Sequence, residues 1–107
     1  MKAQGKEEKA KIKFGYAAAL YKALQNSPLN SFRKLAKEAG MESAHIQKIS
    51  VGKLDVSVTT SVALAGALGI TYSQLSTYYD ELTEEDIGTF VQYLAEQKKL
   101  RGKAKGK

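Results

Sequence analysis

Outside its two ends, the chain repeats apolar residues at three- and four-residue intervals, the spacing that lines one face of an α-helix. Six helices follow from that spacing. Tyr16, Leu20 and Leu24 fall at i, i+4 and i+8 with Ala17 beside them, which predicts a first helix over residues 12–25. Gly15 weakens its start a little, and Asn26-Ser27-Pro28 ends it, because proline cannot continue a helix and holds its predecessor extended. Ser31 suits the N-cap of a second helix and Gly40 its close. A third helix begins near Ser43 and stops around residues 51–52. Ser57 caps a fourth that runs through Leu68, with Val58, Val62, Ala65 and Leu68 as its expected inward stripe. Thr71 and Gln74 form a capping box for a fifth helix over residues 72–79, stapled by Ile70 and Leu75. Thr83 and Asp86 repeat that grammar before a sixth, whose apolar stripe is Ile87, Phe90, Val91 and Leu94. The expected fold class is all-α.

The stretch from Phe32 to Ile49 organises the rest. Leu35 and Ala36 are the inward positions of its first helix, Ile46 and Ile49 those of its second. Alanine at 36 lets a second helix cross closely, and Gly40 tolerates the positive φ that a sharp turn requires. Ser43, Ala44, Gln47 and Lys48 are left pointing outward. Two helices crossing over a short turn, the second with a small and polar outer face, form a helix-turn-helix arrangement.

Charge sharpens this picture. Lys and Arg total 17 against 11 Asp and Glu, a formal +6 that favours a polyanionic partner. The sign changes along the chain. Residues 1–13 hold five Lys and two Glu, residues 80–97 hold six acids and no base, and residues 98–107 hold six bases and no acid. Residues 1–11 and 101–107 accordingly read as basic flexible tails. They flank a helix-turn-helix domain over 12–79 and a C-terminal amphipathic helix over 80–100, which either packs on that domain or forms a dimer seam; the dimer is the favoured expectation.

Catalytic chemistry finds no support. The chain has no Cys and a single His, His45, so thiolate and clustered imidazole metal sites are excluded; no glycine loop cradles a phosphate and no nucleophile stands at recognisable spacing from a base. The expectation is a protein that is not an enzyme, with no cofactor and no metal. The longest apolar run, Val62 to Ile70, is too short to span a bilayer. No membrane partner and a cytoplasmic location are therefore expected.

From Tyr16 to Leu75 the chain resembles the Cro/C1-type helix-turn-helix family, also called lambda-repressor-like or Xre. The matching residues are Leu35-Ala36, Gly40, Ile46, Ile49, Gly52-Lys53 and the run Leu64-Ala65-Gly66-Ala67-Leu68-Gly69-Ile70-Thr71-Tyr72-Ser73-Gln74-Leu75. The resemblance implies a five-helix lambda-repressor-like DNA-binding domain, here with an added C-terminal helix. It also implies that the third helix enters the major groove of double-stranded DNA, usually as a homodimer on a near-palindromic site. Carried over by position, the base-contact candidates are Ser43, Ala44, Gln47 and Lys48, and the phosphate-contact candidates are Arg33, Lys34 and Lys53. The chemistry fits the types: Lys48 can donate to guanine O6 and N7, Gln47 matches adenine, and Ala44 can touch a thymine methyl.

Three positions depart from the family's pattern. Phe32 stands where Gln is common, Glu42 sits where a small polar residue is expected, and Ser50 replaces a frequent Glu. Phe32, Glu42 and the amphipathic sixth helix motivate an alternative of another class, a protein-interaction module on the same fold, such as an antitoxin-like or adaptor partner.

Overall fold

Helix α1 (Lys6–Gln25) is packed along its sides by the third, fifth and sixth helices, while the second helix packs on the third and fourth. Four consecutive residues, Ala17 to Leu20, are buried, which on a helix means burial on every side of one turn. Three of the four are alanine, so neighbours can approach the backbone closely from several directions at once. The computed structural model describes residues 5–105. Within them α1 is followed by α2 (Phe32–Ala39), α3 (Ser43–Ser50), α4 (Val58–Leu68), α5 (Tyr72–Asp80) and α6 (Glu84–Lys105), with no strand.

The local signals read from the sequence set the boundaries. Ser31, Ser57 and Thr71 each accept a hydrogen bond from the amide three residues on, at Lys34, Thr60 and Gln74. Gln74 returns a bond to the Thr71 amide, completing the capping box at 2.9 Å. The Thr83–Asp86 pair does the same before α6, with both bonds formed. Gly40 and Gly69 close α2 and α4 in the left-handed conformation, and in each case the following amide bonds back across the last turn, Met41 to Ala36 and Ile70 to Ala65.

Four expectations need correction. The segment 1–11, read as a tail, is helical from Lys6 onward; its residues 1–4 lie outside the described ones. Likewise α6 continues to Lys105, into the expected tail 101–107, of which residues 106–107 lie outside the described ones. The face of α4 is also different. Val58 and Val62 are 61% and 51% exposed, and the buried residues are Ser61, Leu64, Ala65 and Leu68. The reason is a polar partner: the Ser61 hydroxyl sits 2.8 Å from the half-buried Tyr16 hydroxyl, so rotating α4 to bury its valines would strand that pair.

The fourth correction concerns α6. Its apolar stripe is covered by α1 of the same chain rather than left for a second copy. Phe90 is fully buried against Ala17 and Ala18, with Phe14, Tyr21, Ile87 and Leu94 around it; Val91 alone of the stripe stays exposed, at 48%. The ring of Phe90 lies edge-on to Phe14 at 5.1 Å and 5.7 Å from Tyr21, and Tyr93 stacks on Tyr21 at 4.4 Å. Outside this aromatic seam, Lys22 of α1 donates to Asp86 at 2.8 Å, the same carboxylate oxygen that caps α6.

Candidate nucleic-acid interface

The back of α3 is fixed to the core and its front is open. Ile46 and Ile49 are buried in one cluster with Leu35, Ala36, Leu20 and Leu64, as one helical turn of separation requires. Ser50 is buried as well, and its hydroxyl is satisfied by the Gln47 carbonyl at 2.8 Å. Ser43, Ala44, His45, Gln47 and Lys48 are all exposed. The structure therefore brings the four base-contact candidates onto one uncovered face, 43 and 44 in the first turn, 47 and 48 one turn later.

The phosphate-contact candidates flank that face on both sides. Arg33 and Lys34 are exposed in the first turn of α2, directly after the Ser31 cap. Together with Lys37, Met41, Glu42 and Ser43 they line an open groove between α2 and the start of α3, three cations to one carboxylate. Lys53 is exposed at the other end of α3. Gly52 ends the helix with φ +77°, and the Lys53 amide donates to the Lys48 carbonyl at 3.3 Å, so the backbone of Lys53 is tied to the helix that carries the base-contact candidates. Gly52 has a second constraint. A Cβ there would stand 3.0 Å from the Phe14 Cα, so only glycine lets the loop rest on α1.

Among the described residues none of these cations has a carboxylate partner; the ion pair there is Lys22–Asp86. The acids of residues 80–97 sit on the end of α5 and on α6, whereas α3 packs on α2 and α1.

Phe32 is a core residue. It is 8% exposed and packs 6.4 Å from Tyr21 and 6.1 Å from Tyr93. The aromatic ring at this position is met by α6, which supplies Tyr93 against it. Sequence periodicity did not single out Tyr93 and had no means of pairing it with Phe32 across some sixty positions. Glu42 is exposed and leaves α3 without a side-chain cap.

Gly15 is another residue whose role lay outside the local pattern. A Cβ at this position would meet the Tyr79 ring at 3.1 Å, so the glycine that weakens α1 locally lets α5 lie close against it. Tyr78 hydrogen-bonds Asn26 at 3.1 Å, joining the ends of the same two helices, while Tyr72 is left 42% exposed.

Among the described residues no helix is long and apolar enough to cross a membrane. Compared with known proteins, the chain matches no family model, no curated sequence and no solved structure.

Proposed function

We propose that this protein is a sequence-specific DNA-binding transcriptional regulator on a lambda-repressor-like domain, with α3 in the major groove and two copies on a near-palindromic site. One observation carries the reading: α3 is pinned from behind by Ile46 and Ile49, open in front at Ser43, Ala44, Gln47 and Lys48, and flanked by the cations Arg33, Lys34 and Lys53, which have no carboxylate partner among the described residues. A helix held in this way can enter the groove as a rigid body, while charged groups at both ends fix its register on the phosphates. Binding then takes nanomolar or tighter values at a preferred site, with a steep fall as salt rises. Selection from a random duplex pool at two salt concentrations tests the proposal. Enrichment of one motif at both salts supports it, and a pool that stays random at both refutes it.

With α6 occupied in cis, the second copy must meet another surface. The large apolar side chains exposed outside α6 are Ile12, Val58, Val62 and Tyr72. The same side chains favour the second reading, a protein-interaction module, now that Phe32 and most of the α6 stripe are buried in the chain itself. A stoichiometric protein partner recovered by a domain that ignores DNA decides for that reading.

A further inference from the structure

The helical extension at the start of α1 has two unlike faces. At 3.6 residues per turn, Lys6, Lys9 and Lys13 share an arc of about 60°, the arc that later in the helix carries Leu20 and Leu24. Glu7, Glu8 and Lys11 lie outside that arc, Lys11 on the opposite side of the helix. Lys6 and Lys9 are exposed and Lys13 is half-buried, and none has a carboxylate partner among the described residues. The stripe is anchored beside the candidate interface. The backbones of Phe14 and Gly52 pass so close that a Cβ on Gly52 would stand 3.0 Å from the Phe14 Cα, and the chain neighbours of those two residues are Lys13 and Lys53. Beyond that contact the lysine face continues for about 10 Å, a length over which duplex DNA presents roughly six phosphates.

Resting on the proposed DNA-binding reading, we infer that Lys6, Lys9 and Lys13 form a second row of phosphate contacts, continuous with Lys53, that grips the duplex backbone beyond the footprint of α2 and α3. Because the lysines stand on a helix rather than a loose tail, they are held in place before binding and contribute without a large ordering penalty. They carry no base information, so they raise affinity for every sequence alike.

The test is the salt dependence of duplex binding by the full chain, measured for the parent, for the triple variant K6Q/K9Q/K13Q, and for K9Q and K11Q singly. Each single variant removes one positive charge, so net charge is controlled and only the face differs. Gln keeps a comparable helix propensity, and circular dichroism checks that helicity is unchanged. The expected result is a slope of log affinity against log salt that flattens by about 2–3 in the triple variant and by about 1 in K9Q, with K11Q close to the parent. Equal slopes in parent and triple variant, or equal effects of K9Q and K11Q, overturn the inference while leaving the α3 reading intact. A parent chain that binds no duplex at all overturns both.

Discussion

Truncating Phe90 to alanine probes how α6 is held. The side chain is fully buried, has ring neighbours Phe14 and Tyr21 at 5.1 and 5.7 Å, and rests on Ala17 and Ala18, which are too small to move in and fill the space. Loss of a buried phenyl ring with little collapse costs about 3–5 kcal/mol. Domains of this size are stable by about 5–15 kcal/mol, so the change removes a large part of the total. At about 4 °C per kcal/mol, the thermal midpoint should fall by roughly 12–20 °C. The assay is thermal and urea unfolding of parent and F90A at protein concentrations spanning two decades. Because the pocket is made within one chain, the loss should be the same at every concentration. A midpoint lowered by less than about 4 °C, or a deficit that vanishes on dilution, would refute packing of α6 in cis as its main anchor.

Further outcomes follow from the caps, loops and charges. On the DNA-binding proposal, Lys48→Ala should relax discrimination at one base pair, by about 1–3 kcal/mol, whereas Lys53→Ala should weaken binding to all duplexes equally; competition against scrambled duplex separates the two. Gly52→Ala combines a positive φ of +77° with a 3.0 Å backbone clash, and Gly40→Ala has only the positive φ of +71°. Urea unfolding should therefore show about 1–2 kcal/mol lost in the second variant and clearly more in the first. The Lys22 hydrogen bond, then the Thr83 amide, hold the Asp86 carboxyl below its ordinary value, and the bond to Asp86 raises Lys22. A lowered carboxyl contributes stability that is present above the ordinary carboxylate range and is lost as pH falls through its folded value. Melts of Asp86→Asn from pH 7 down to pH 2 should thus converge with the parent at the acid end, and a gap that stays constant across that range contradicts the assignment.

What could be read from the sequence was the grammar that acts over a few residues. Ser31, Ser57, Thr71–Gln74 and Thr83–Asp86 start helices, and Gly40 and Gly69 end them, because each bond spans a single turn and needs only its own neighbours. The outward set 43, 44, 47 and 48 was legible for the same reason, once Ile46 and Ile49 were recognised as the inward pair. The orientation of α4 was not legible. Its sequence VTTSVALAGAL is small or apolar nearly all round, so periodicity offers several stripes, and a tyrosine hydroxyl forty-five positions away selects the one containing Ser61. The docking of α6 was hidden in the same way. Nothing local to Phe90 distinguishes a dimer seam from a cis contact; Ala17 and Ala18 of α1 decide it, and they carry no signal of their own. The tails illustrate the opposite failure. Composition marks residues 6–11 and 101–105 as polar and basic, yet Lys and Ala propagate a helix well once a packed one has been nucleated beside them.

The meeting of Phe90 with Ala17 and Ala18 also sets a timetable. A ribosome completes the alanine turn long before it has made the phenylalanine, so one flank of that helix emerges bare and stays so for some seventy codons. At elongation rates of about 5–20 residues per second, that is a wait of several seconds with a sticky surface facing the crowd. Nascent chains stalled just short of residue 90 should be cut readily by protease near residues 14–21, and chains stalled once α6 has cleared the exit tunnel should resist.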